Sequence, residues 1–133
     1  MRNYQEKDIR FYDPDNEIEG DFIVGADGDF ALTDKYESPR QDITNRVRTM
    51  ATDWRSHPSI GADLELLEGE PNTRKTGERG ELQIKQTLLY DGRFDQGDVS
   101  VRAVPTSIYE IDFYVMLNTD ENAPVIVHTP LEL

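Results

Sequence analysis

In the stretch Leu88-Leu89-Tyr90-Asp91-Gly92-Arg93-Phe94 the chain changes period: apolar residues recur at helical spacing before it and alternate with polar ones after it. A glycine just beyond an apolar helical run is a stop signal, because it takes the left-handed conformation that closes the last turn. The sequence therefore predicts a helix that ends at Gly92 and strands that begin soon after it. Arg93 then sits on a fixed corner between the two halves of a mixed fold.

At 133 residues the chain is the size of one domain, and a single unit over 1–133 is expected. Its 27 acidic against 14 basic side chains give a formal net charge of -13, which repels nucleic-acid phosphates. Cysteine is absent, so no disulfide framework or thiolate metal site is available. No window has the apolar length of a signal peptide or a bilayer span, and a soluble chain without membrane attachment is expected.

Residues 1–21 are charged, contain Pro14 and lack apolar periodicity, which predicts an extended arm of the kind that docks on a partner. Asp13-Pro14-Asp15-Asn16-Glu17 has the look of a calcium loop, but Ile18 stands where the sharp turn of such a loop needs glycine, so no metal is expected there. Two strand-like runs, 21–24 and 30–33, flank Gly25-Ala26-Asp27-Gly28-Asp29 and predict a hairpin. Ser38-Pro39-Arg40-Gln41 has the pattern of a helix start, with a hydroxyl cap, proline at the first position and glutamine at the third. Ile43, Val47, Met50, Ala51 and Trp54 then mark one apolar stripe on a helix over 39–53, closed by His57-Pro58. Leu64, Leu66 and Leu67 form a cluster expected beneath the helices. Asn72 is the expected cap of a second helix running to about Tyr90, with Leu82, Ile84, Leu88 and Leu89 inward. Gly77 and Gly80 weaken its first turns, so it starts near Gly80 unless close packing demands small residues there.

Beyond the corner, 99–104 alternates, and 109–117 does so more cleanly, with Tyr109, Ile111, Phe113, Val115 and Leu117 on one face. Residues 124–133, with Pro124 and Pro130 flanking Val125 and Val127, read as an edge strand or as a tail that pairs only with another chain. The expected class is α+β: a small antiparallel sheet with two main helices packed on it.

Catalysis would have to come from two histidines and many carboxylates. Glycoside chemistry needs one carboxyl in an apolar niche with a raised pKa. Glu110 and Asp112 fall on the outward strand face, and nothing sets Asp91 or Glu81 apart from the other acids. There is no phosphate-cradling glycine loop, no nucleophile motif beside His57 and no cofactor motif, so no enzyme, cofactor or catalytic residue is expected. An arginine on a rigid corner can grip a carboxylate bidentately, and Arg93 does so either within its own chain or on a partner.

The order of hairpin, first helix with Gln41-Asp42-Ile43, Ile60-Gly61 loop, second helix, Asp91-Gly92-Arg93 and alternating Val99 and Val101 resembles the gene-25-like baseplate wedge family of contractile phage tails. A baseplate protein of type VI secretion systems belongs to the same family. There an apolar helix ends in Glu-Pro-Arg; here acid and arginine are kept and glycine replaces proline. The resemblance covers roughly residues 22–117. It implies a structural sheath initiator, monomeric in isolation and present in six copies around the tail axis of the virion after assembly in the host cytoplasm. Its implied partners are baseplate wedge proteins, contacted by Asp91 and Arg93, and the tail sheath protein, paired through the strands of Tyr109, Ile111, Phe113, Val115, Val125 and Val127. The tail tube or hub is a further implied neighbour. A free acidic adaptor or inhibitor that binds a regulatory protein is the alternative, and a carboxylate-based cell-wall hydrolase ranks below it.

Overall fold

The change of period at the corner separates the two main helices before it from the three-stranded sheet after it. In the computed structural model, which describes residues 4–10, 12–13, 18–19, 23–33, 35–51, 53–119 and 124–133, two short antiparallel strands come first, β1 (Tyr12–Asp13) and β2 (Ile18–Glu19). Helices α1 (Glu37–Arg48) and α2 (Arg74–Leu89) follow, then strands β3 (Val99–Pro105), β4 (Glu110–Leu117) and β5 (Val125–Glu132). The calcium-like run lies outside the described residues at 14–17, as do residues 21 and 22 of the first hairpin strand.

Strands β3, β4 and β5 form one antiparallel sheet in that order. Val99, Val101, Ile111, Phe113, Val115, Leu117, Val125 and Val127 are buried on one face, and the opposite face stays polar or half-exposed, as alternation in a one-sided sheet requires. Helix α2 packs over β3, and α1 packs beside β5. The α+β class with two helices on a small antiparallel sheet is therefore the architecture. Tyr109 departs from the expected face: it precedes β4 and is 67% exposed.

Close packing explains why α2 begins at Arg74 rather than near Gly80. A side-chain carbon on Gly80 would run into the ring of Phe113, and one on Gly77 would crowd Ala103. The two glycines let the helix lie directly on the sheet, and that contact offsets their intrinsic cost of about 1 kcal/mol each. The cap is Thr73, whose hydroxyl accepts the Thr76 N–H; Asn72 instead donates to the Ser107 and Glu110 carbonyls across the sheet end. Ile84 and Leu88 face the core, whereas Leu82 and Leu66 are exposed against expectation. Leu64 and Leu67 are buried in a short 3-10 turn.

The start of α1 also differs from the sequence reading. The helix begins at Glu37 after Tyr36, which makes no side-chain cap, so Ser38 and Pro39 are already inside the first turn. Both are buried, and Gln41 reaches across to the Ile9 carbonyl instead of back to a cap. The helix ends at Arg48, five residues short of expectation, because the returning loop takes over its free groups: Ala62 N–H bonds the Arg46 carbonyl. Trp54, expected on the apolar stripe, is 58% exposed. Gly61 sits in that loop at φ +139°, where any added side-chain carbon would collide with the backbone of Met50 and Ala51.

The hairpin at 23–33 closes with Val24 bridged to Phe30, and residues 8–10 lie along its second strand through Ile9 and Leu32. The expected arm is thus docked on its own chain over residues 4–10, and Tyr4 is only 1% exposed.

Substituting Gly80 by alanine raises helix propensity yet forces Phe113, which is fully buried, to move. Overpacking of this kind costs about 1–3 kcal/mol, so urea unfolding of Gly80→Ala is expected to show lower stability than the wild type despite the better helix former.

Candidate functional site

Gly92, at φ +76°, turns the chain out of α2, and its N–H closes on the Leu89 carbonyl. That turn sets Asp91 and Arg93 on the two sides of a corner, and both point into their own fold. Asp91 accepts from Arg46 of α1 at 3.1 Å (Nη1 to Oδ1) and 2.6 Å (Nη2 to Oδ2), a bidentate pair. Arg46 also donates Nη1 to the Thr87 carbonyl at 2.8 Å and Nε to Asp42 Oδ1 at 3.0 Å. Its guanidinium lies 5.6 Å from the ring centres of both Tyr90 and Phe94. Arg93 donates Nη1 to Asp42 Oδ2 at 2.6 Å and Nη2 to Ser38 Oγ at 3.1 Å, with Glu6 Oε2 at 3.5 Å. Asp42 therefore joins the two arginines, and Ser38, read from sequence as a helix cap, is an acceptor for Arg93.

The charges respond to this packing. Burial alone would push the Asp91 carboxyl up, but the hydrogen bonds and charge of Arg46, with the Arg93 N–H, outweigh it and hold the group below its ordinary value. Burial likewise opposes the charge on Arg46, and Asp91 and Asp42 together raise its pKa above the usual arginine value.

Of the two roles open to Arg93, these contacts supply the internal one: Asp91 is engaged by Arg46, and the half-buried Arg93 by Asp42 and Ser38. The residue that organises the corner, Arg46, carries almost no signal in the sequence. Its local mark is Asp42 four residues earlier, next to the apolar positions Ile43 and Val47. Asp91 and Arg93 are 45 and 51 residues from their partners, a separation that periodicity cannot bridge.

Of the strand residues expected to pair with a sheath, Tyr109, Ile111, Phe113 and Val115 need correction, while Val125 and Val127 lie on an edge strand. Tyr109 lies outside β4, and Ile111, Phe113 and Val115 belong to the central strand, whose backbone is paired on both sides. Their side chains, with those of Val125 and Val127, fill the protein's own core. The edges of this sheet are β3 and β5. On β3 the Ala103 N–H points outward to Glu81 Oε1, so the outward series also includes Pro105, which has no N–H. On β5 the Ile126 carbonyl points outward to Arg40 Nη1 at 2.6 Å, which puts Pro130 in the outward series there. Proline at an outward position leaves the internal ladder intact while removing a donor that a new strand could use.

The carboxylates weighed for catalysis are dispersed. Asp91 is held by Arg46, Glu81 caps β3, Asp112 lies 3.1 Å from His128, and Glu110 is exposed. Among the described residues, no group of three or more histidine, aspartate or glutamate side chains is placed to hold a metal ion, and no helix is long and apolar enough to cross a membrane. Comparison with protein-family models, with curated proteins and with solved structures finds no match to the chain.

The lowered Asp91 pKa has a defined consequence. A carboxyl whose folded value lies below its unfolded value near 3.9 stabilises the fold above that pH, and the contribution disappears as pH falls through the folded value. Urea unfolding at successive pH values should show Asp91→Asn about 1 kcal/mol less stable than wild type from pH 5 to 7, with the gap closing below pH 4.

Proposed function

We propose that the chain is a non-enzymatic structural component of a contractile phage tail baseplate, which links the wedge bundle to the sheath and starts sheath polymerisation by strand pairing. The observation that carries this reading is the order of parts around the corner: a helix closed by Asp91-Gly92-Arg93 delivers the chain to a three-stranded sheet that ends in an edge strand. It is the order on which the resemblance to the baseplate wedge family rests. Because β4 is central, pairing with sheath subunits falls on the β5 edge, between Ile126 and Pro130, where Arg40 must release the Ile126 carbonyl. The wedge contact falls on the outer rim of the corner, where Tyr90 and Gly92 are exposed. A net charge of -13 steers the protein to basic partner surfaces.

The same charge favours the second reading, a free acidic adaptor for a regulatory protein, and the two separate by experiment. If the chain is a sheath initiator, deleting its gene should leave particles with a bare tube and no assembled sheath in electron micrographs. Normal sheathed tails, with the protein found only in soluble complexes, would remove the tail reading in favour of the adaptor.

A further inference from the structure

The turn from β3 to β4 carries two large apolar side chains on its outside. Ile108 is 77% exposed and Tyr109 67%, and among the described residues no large apolar side chain is more exposed than Ile108. A loose turn could fold such groups back onto the sheet, but this one is tied. The Glu110 carbonyl accepts the Thr106 N–H at 3.0 Å and Asn72 Nδ2 at 3.1 Å, and Asn72 also donates to the Ser107 carbonyl at 2.6 Å. Ser107 Oγ accepts the Tyr109 N–H at 3.2 Å, and the Leu133 N–H reaches the Tyr109 carbonyl at 2.6 Å. Asn72, just before the cap of α2, thus anchors the tip to the helix layer. Two exposed apolar groups on a braced turn lose little freedom when they are covered.

The same end of the sheet holds an opposed pair of charges. Glu110 and Glu132 are direct partners in the β4–β5 register, and both are exposed. Like charges set directly opposite across two strands are destabilising. Two residues along, Asp112 has His128 at 3.1 Å, whereas among the described residues no basic side chain is ion-paired with Glu110 or Glu132. A cation brought between the two carboxylates would remove their repulsion.

These two features select the occupant. Nucleic acid and anionic lipid bring phosphates, which the acid pair repels, and a second copy carries the same acidic excess of -13. A basic protein surface answers both the apolar tip and the acids. We propose that the β3–β4 tip is an insertion element for a partner protein, in which Ile108 and Tyr109 enter an apolar cleft and an arginine or lysine on its rim pairs with Glu110 and Glu132. An arginine fork suits two carboxylates side by side, and an aromatic anchor at the centre of such a contact carries much of its binding energy. The tip is separate from the corner and from the β5 edge between Ile126 and Pro130, so the proposal stands whether the chain is a tail part or an adaptor.

The test places the photo-crosslinking residue p-benzoylphenylalanine at position 108 of the full chain, in the cells that produce it. Irradiation should give an adduct with one protein, and mass spectrometry should map it to an apolar cleft bordered by arginine or lysine. Reversing both acids, Glu110→Lys with Glu132→Lys, keeps like charges opposed in the sheet and should cut the adduct at least tenfold; Tyr109→Ser should cut it at least fivefold. Purified Glu110→Gln should unfold in urea at a midpoint equal to or above that of wild type, because it relieves the opposed charges, yet lower the adduct at least threefold. A lower midpoint would make the acids part of the fold's own stability and overturn the proposal. So would the absence of an adduct, an adduct indifferent to charge reversal, or one formed with a second copy of the chain, nucleic acid or lipid.

Discussion

The guanidinium of Arg46 is where helix α1, the last turn of α2 and the corner after it meet. Its donors are distributed over one side chain of its own helix, one backbone carbonyl of α2 and one carboxylate of the corner, so moving any of the three breaks a charge-assisted bond. Burying such a group is costly, and a buried ion pair often adds little net stability over an apolar core of the same shape. What it adds here is geometry. Asp42 is shared with Arg93, so the corner is fixed relative to the start of α1 as well as to its middle, and Phe94 enters the core at one defined place.

That fixed corner positions the segments that follow it. It aims segment 94–98 so that its walls enclose Tyr4, and it sets the start of β3, from which the sheet is built. At the far side the sheet is guarded at both edges: proline faces outward on each, Glu81 caps one and Arg40 the other. An acidic chain with guarded sheet edges resists random association.

Much of the fold was legible in the sequence because periodicity reports burial. Ile43 and Val47, Ile84 and Leu88, and the alternating residues of β3, β4 and β5 face the core as their spacing implies. The misreadings share a cause. Ser38 looks like a cap because caps are local, but its hydroxyl serves an arginine 55 residues away. Asp91 and Arg93 stay open in the sequence between an internal pair and a partner's contact, because the groups they bond lie on another helix. Leu66, Leu82 and Trp54 fit an apolar pattern, yet all three are exposed, and pattern alone does not say how many layers a fold has. The centrality of β4 depends on β5 folding back along it, which two prolines in the sequence argue against until their place in the ladder is known; the outward placement of Pro130 removes the objection.

Whether the corner is braced from within is measured most directly by a double-mutant cycle on Asp42 and Arg93. Asp42→Ala, Arg93→Ala and the double variant would be compared with wild type by urea unfolding at neutral pH. An internal brace predicts that Arg93→Ala alone is destabilising and that the pair couples by about 1 kcal/mol. Wild-type stability for Arg93→Ala, with strictly additive effects, would contradict it and return Arg93 to a partner.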